Sequence, residues 1–285
     1  MTTPDEHTTP TTADAAKAWD RVADNYDAVL TGHANDIAES FLDRLPVGDG
    51  TDLLDVAAGS GALTVAAARR GASVTAIDLS AAMVDHLREH LTDLGLTDIE
   101  ARVMDGQNLD LPDDRFDVAA SQLGVMSFPD LPRGLREMAR VTRPGGTVAL
   151  VSVGAPPPEI EYGAVTYEVV AEVDPTFPGV PADPPPLPFQ VADPDVLHQR
   201  MTEAGLVDVS VENTPARLRF ASGTALWVTV VYANPVTAAL FEHLTTDQVD
   251  EIIRRLDAVV ASRAGDDGVA ILEMAMNIGI ATVPD

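Results

Sequence analysis

The chain has 285 residues, 46% of them hydrophobic, enough for a sizeable core and too apolar for a disordered chain. Eighteen basic residues against 45 acidic ones leave a net charge of −27, a field that repels phosphate backbones and argues against a nucleic-acid substrate. The absence of cysteine excludes disulfides, thiol nucleophiles and cysteine-held zinc. The acidity otherwise reads as a solvated surface, from a saline habitat or from compositional bias.

Residues 1–12 are rich in threonine and proline and include Asp5 and Glu6. They lack the basic start and apolar centre of a signal peptide and read as a flexible tail, with cytoplasmic as the default localisation. Trp19, Val22, Tyr26 and Val29 recur at helical spacing and predict a helix from 13 to about 32. A second helix is expected after Asn35, with Ile37, Phe41 and Leu45 on its stripe and Pro46 and Gly48 as its stop. Together these would form a helical cap over 13–50.

Over 51–153 the pattern changes. Short apolar runs at 53–57, 73–77, 99–103, 116–121 and 147–153 read as strands. Helical patterns lie between them, ending near Arg70 and spanning 80–94 and 131–142. Strands that are apolar throughout and separated by helices imply an α/β, doubly wound, mostly parallel sheet covered on both faces. Segment 154–193 holds Pro156, Pro157, Pro158 and Pro184, Pro185, Pro186, and is read as a proline-rich lid insertion with neither a buried strand nor a long helix. The remainder, 194–285, is expected to complete the sheet. It offers a helix from Pro194, a strand at 206–211, two helical patterns within 222–264 and an antiparallel C-terminal strand at 270–280. No run is apolar enough for a membrane span.

The informative stretch is Leu53-Leu54-Asp55-Val56-Ala57-Ala58-Gly59-Ser60-Gly61-Ala62-Leu63. A buried strand enters a loop of the smallest residues, and a helix starts directly after it. Small residues let a ligand approach the backbone, and the helix N-terminus presents free N–H groups. The next strand ends on Asp78, a carboxylate suited to the two hydroxyls of a ribose. The dinucleotide fingerprint is incomplete, because Thr64 stands where a third glycine belongs.

Later segments add to this loop. Met104-Asp105-Gly106-Gln107, Phe116-Asp117-Val118 and Arg143-Pro144-Gly145-Gly146 follow in order, each at a strand edge. This succession resembles the class I S-adenosylmethionine-dependent methyltransferases, in their small-molecule branch, which includes enzymes of ubiquinone and menaquinone biosynthesis. The resemblance covers about 19–153. It departs from the usual pattern at Ala57, which replaces the loop's first glycine, and no quinone-enzyme sequence surrounds Tyr26 and His33. It implies a Rossmann-like methyltransferase fold and S-adenosylmethionine as cofactor. It further implies that Asp55 and Ala57, Ala58, Gly59 and Gly61 cradle the methionine part. Asp78 would take the ribose, Leu79 and Met83 would lie at the adenine, and Asp105 would accept from its amino group beside Gly106 and Gln107. Ser121 and Gln122 would face the methionine side, and Tyr26 would close over the cofactor.

Each residue also has a structural reading. Asp78 and Asp105 are ordinary helix-cap and turn residues, Tyr26 suits a core, and Ser121 simply ends a strand. His33 lies where this branch places its acceptor and is the candidate base. His86 and His90 are four apart on one helix, a spacing that suits a metal, but off its apolar stripe they read as a solvated face, so no metal is expected. His198 and His243 read as surface residues.

The expected acceptor is small and fairly apolar, methylated at O, N or C, with a wall drawn from Tyr162, Tyr167, Phe177, Phe189, Trp227, Tyr232 and Phe241. The fourth strand runs into Ser121-Gln122-Leu123-Gly124, unlike a DNA base methyltransferase. Neither nucleic acid nor a membrane is expected as a partner, and a homo-oligomer stays open. One alternative keeps the cofactor as a structural element in a protein that binds or rearranges a small molecule. Another is an NAD(P)-dependent oxidoreductase, disfavoured by the absent third glycine and the lack of a Tyr-x-x-x-Lys pair.

Overall fold

The computed structural model describes residues 11–156, 159–181, 185–232 and 234–285. The expected tail therefore lies outside the described residues as far as residue 10, as do Pro157, Pro158 and Pro184. Seven strands form one sheet in the order β3-β2-β1-β4-β5-β7-β6. They are β1 (Asp52–Val56), β2 (Ser73–Asp78), β3 (Glu100–Val103), β4 (Phe116–Gln122), β5 (Thr142–Val153), β6 (Val207–Phe220) and β7 (Ala270–Thr282). The first five pair in parallel, while β7 runs antiparallel to both β5 and β6. Leu53, Leu54 and Val56 of β1 are fully buried, as a central strand covered on both faces requires. From β1 the chain winds outward one way through β2 and β3, and later the other way through β4 and β5. The crevice where the winding reverses, at the carboxyl ends of β1 and β4, is the ligand-binding edge of such sheets.

Nine helices occur among the described residues: α1 (Thr12–Leu42), α2 (Ala62–Arg69), α3 (Ala81–Asp93), α4 (Leu131–Val141), α5 (Glu161–Val173), α6 (Pro194–Glu203), α7 (Gly223–Tyr232), α8 (Pro235–Phe241) and α9 (Thr246–Arg263). None is by itself long and apolar enough to cross a membrane.

Three expectations are corrected. The cap is one helix of 31 residues, opened by a Thr11–Asp14 capping box. Gly32 costs about 1 kcal/mol inside a helix, but tertiary contacts on both sides of it prevail. Before it Val22 and Ala23 are buried; after it Gln122 Nε2 donates to the Ala34 carbonyl at 2.8 Å, and Ile37, Ala38, Phe41 and Leu42 are buried in the core. The proline-rich segment contains α5, whose Val165, Thr166, Val169 and Val170 are buried. Strand β6 continues nine residues past the expected end at Val211, because it pairs with β7 as far as Phe220↔Ala270.

The insertion is tied to the sheet by buried amides. Asn277 of β7 donates to the carbonyls of Val191 (3.1 Å) and Ala192 (2.9 Å), and accepts from Asn213 Nδ2 of β6 at 2.7 Å. Gln190 Nε2 donates to the carbonyls of Met126 and Phe128 just beyond β4. The wall contributed by the second half of the chain is thereby held over the crevice.

Candidate active site

Three spaces meet at the crevice. A cleft of about 770 Å³ runs over the ends of β1, β2 and β4, lined by Ala57, Gly59, Asp78, Leu79, Met83, Met104, Asp105, Gly106, Gln107 and Gln122. A smaller pocket of about 330 Å³ sits on the glycine loop, bounded by Asp55, the stretch Ala57 to Leu63, and Gln122. A chamber of about 980 Å³ opens beside them, with α1, α5 and α7 in its walls. Tyr26 borders all three, and Trp19, Leu123 and Ser127 separate cleft from chamber.

The loop takes its shape from left-handed backbone at Ala57 (φ 58°), Gly59 (φ 55°) and Gly61 (φ 99°). At Gly61 a Cβ would also lie 2.2 Å from Leu87 Cδ1, so only glycine lets α3 pack beneath the turn. Alanine at 57 adopts the positive φ that its replacement of the usual glycine demands, at a strain of roughly 1–2 kcal/mol.

Asp78 organises the cleft. Its Oδ2 accepts the Gly59 amide at 2.8 Å and its Oδ1 accepts the Ser80 amide at 2.9 Å, so the carboxylate links the glycine loop to the start of α3. Ser80 is the helix cap, accepting from the Met83 amide, which leaves the free lone pairs of Asp78 to the cleft. Burial pushes its pKa up against those amide bonds. Asp105 Oδ1 accepts both the backbone amide of Gln107 (2.8 Å) and its side-chain nitrogen (3.1 Å), fixing the segment that borders the cleft.

Asp55 is 1% exposed. Thr64 Oγ1 donates to its Oδ2 at 2.6 Å, while Oδ1 is buried without a partner. Burial outweighs that one donation and pushes the carboxyl up to about 7. The fold therefore holds a proton that the unfolded chain has already lost above about pH 4. The stabilising contribution of Asp55 is complete below about pH 4 and disappears as pH rises through about 7. Urea unfolding at about pH 5 and about pH 8 should accordingly differ less in Asp55→Asn than in the wild type. Equal pH dependence of the two would mean that Asp55 is already ionised at the acidic end.

The structure departs from several sequence expectations here. Ser121 is fully buried and borders none of the three spaces; its Oγ accepts the Val125 amide at 3.2 Å and shapes the turn after β4. Gln122, the next residue along the strand, faces the opposite side and does reach the cleft. His86 and His90 are not a solvated face. His86 Nε2 lies 2.9 Å from Asp24 Oδ1, His90 Nε2 lies 3.2 Å from Asp27 Oδ2, and His90 Nδ1 meets the Ser60 carbonyl at 2.9 Å. With Asp20, which accepts from Ser80 Oγ and the Ala82 amide, they dock α1 onto α3 across the cleft. His198 is exposed, and His243 pairs with Asp174 at 2.8 Å.

The chamber was the part least visible in the sequence. His33, Leu30 and Ile37 of α1 face Tyr162, Tyr167, Phe189, Leu218 and Met274. The His33 ring lies 5.4 Å from that of Phe220, and burial holds its pKa below the usual histidine value despite the nearby Asp36. Of the other expected wall rings, Trp227 packs on Phe241 at 5.0 Å behind the chamber. Trp19 is a site residue absent from the expected set, signalled in the sequence only by its place seven positions before Tyr26 on one helix face.

A family model described as "Methyltransferase domain" matches residues 54–150. The chain is 32% identical over 219 residues to nocamycin O-methyltransferase of Saccharothrix syringae, covering 73% of this chain and 78% of that one. It is 33% identical over 147 residues to demethylmenaquinone methyltransferase of Corynebacterium glutamicum, covering 50% and 61%. Haemonchus contortus phosphoethanolamine N-methyltransferase 2, solved with phosphomonomethylethanolamine and S-adenosylhomocysteine, shares the fold at a TM-score of 0.60 and 15% identity, covering 97% of this chain and 61% of that one. The chain belongs to the class I S-adenosylmethionine-dependent methyltransferases that act on small molecules.

Proposed function

We propose that this enzyme methylates an oxygen of a fairly apolar small molecule held in the chamber, with His33 taking the hydroxyl proton. The observation that carries the reading is the shared wall. Tyr26 borders cleft, loop pocket and chamber at once, so a cofactor held along the first two would lie beside the third. The oxygen is suggested by the nocamycin O-methyltransferase relative.

The residues present fit the cofactor. Asp78 would hold the ribose diol, Leu79 and Met83 would lie against the adenine, and Asp105 would accept from its amino group beside Gly106 and Gln107. Ala57, Ala58, Gly59 and Gly61 would border the methionine part together with Gln122. The unpartnered Oδ1 of Asp55 at the edge of the loop pocket matches the positively charged amino end of that part. When bound, S-adenosylmethionine supplies a methyl group on a sulfonium whose sulfur is the leaving group.

The protein's work is then alignment and exclusion of water. Tyr26 and Trp19, ring centroids 6.1 Å apart, close the cofactor side. The apolar chamber orients the acceptor, and neutral His33 accepts its proton as the new bond to oxygen forms. In this reading 51–153 is the cofactor-binding core, and the insertions at 154–193 and 222–264 build the acceptor wall. Incubation with S-adenosylmethionine and a panel of apolar phenols, enols and amines should yield phenol and enol products heavier by about 14 Da, with S-adenosylhomocysteine released in equal amount. Turnover of amines alone would displace the oxygen assignment, and an isomerised product without mass gain would displace methyl transfer.

A further inference from the structure

A second cavity adjoins the chamber. It is an open groove of about 1420 Å³ between α5 and the proline-rich segment after it. Tyr167 and Phe189 line both spaces.

The groove wall is built, not a loose loop lying over the surface. Asp174, at the end of α5, accepts from Thr176 Oγ1 at 2.6 Å and the Thr176 amide at 3.0 Å, and pairs with His243 beyond α8. These bonds seat Phe177 against Tyr167 (6.1 Å) and Phe241 (5.7 Å). The lining chemistry is specific. Among the described residues, four lining prolines, Pro156, Pro178, Pro181 and Pro185, offer no N–H, and Glu168 is the one charged lining side chain. A peptide would find few donors there, and an anion would meet both Glu168 and the chain's net charge of −27.

We propose that the acceptor is elongated. Its methyl-accepting head occupies the chamber, and an uncharged hydrocarbon tail passes Tyr167 and Phe189 into the groove. The proposal rests on the chamber being the acceptor site and adds the substrate class: a hydroxylated head carrying an aliphatic chain, rather than a compact ring system.

The test uses para-alkylphenols from ethyl to octyl, titrated by calorimetry into the protein saturated with S-adenosylhomocysteine. Affinity should rise about fourfold for each methylene that enters the groove. Ala171 lies on the exposed side of α5 and borders the groove alone, so Ala171→Trp fills it without touching chamber or cleft. That variant should bind octylphenol about tenfold or more weakly than wild type, while ethylphenol and S-adenosylhomocysteine bind as before. Ala171→Ser should retain the full rise. A flat series or no phenol binding in protein that holds S-adenosylhomocysteine overturns the tail site and leaves methyl transfer standing. A rise that persists in Ala171→Trp overturns it too, by placing the chain elsewhere. Failure to bind S-adenosylhomocysteine would instead overturn the cofactor assignment on which both readings depend.

Discussion

Asp78→Ala should weaken S-adenosylhomocysteine binding by about 10²–10⁴-fold, the loss of two hydrogen bonds to a charged acceptor at roughly 1.5–3 kcal/mol each. The geometry makes this residue doubly demanding. One carboxylate fixes the Gly59 amide, the Ser80 amide and, in the proposed complex, the ribose diol. Its removal therefore releases the glycine loop as well as the nucleoside. Asp78→Asn separates the two effects, since the amide retains one acceptor oxygen and should lose less. Calorimetry with S-adenosylhomocysteine measures the affinities, and circular dichroism checks that the sheet persists. Wild-type affinity in a folded Asp78→Ala protein would remove the ribose from this position.

His33→Gln should lower kcat by about 10²–10⁴-fold, the usual contribution of a positioned proton acceptor. Cofactor affinity should stay as it was, because His33 borders the chamber and neither of the other two spaces. The pH profile supplies an independent readout. Burial keeps the His33 pKa below the ordinary histidine value, so the base is neutral and active at neutral pH. Activity falls only as pH drops through that lowered value, and the acidic limb should vanish in His33→Gln. A variant with unchanged kcat, or an acidic limb that survives, would assign the proton to the acceptor's own acidity and leave His33 as a wall residue.

The docking of α1 bears on both experiments. Its rear third is anchored by Phe41 and Leu42 in the core, and its front, where Val22 and Ala23 are buried, is also tied to α3 by Asp20, Asp24 and Asp27. Tyr26 and His33 ride on this one helix, so cofactor closure and acceptor positioning are mechanically coupled. That coupling depends on the helix being continuous through Gly32, where the local pattern predicts a break.

What the sequence determined by itself was the parallel core and its ligand-binding edge. Strand, small-residue loop and helix are contiguous in the chain, and a parallel sheet brings the carboxyl ends of all such strands to one edge. The glycine loop and Asp78 could therefore be read from local spacing, whereas Asp105 and Gln122 followed from the family resemblance. Tertiary structure decided what local pattern cannot carry. A helix survives Gly32 because both flanks find partners, and α5 forms from the β-branched Val165, Thr166, Val169 and Val170 because burial outweighs their modest helix propensity. Polar β6 extends to Phe220 through its ladder with β7. Ser121 turned out to hold a turn, and His86 and His90 to clamp two helices, because only packing decides which way a side chain faces. The chamber, whose walls run from Trp19 to Met274, exists only once residues far apart in the chain are folded together.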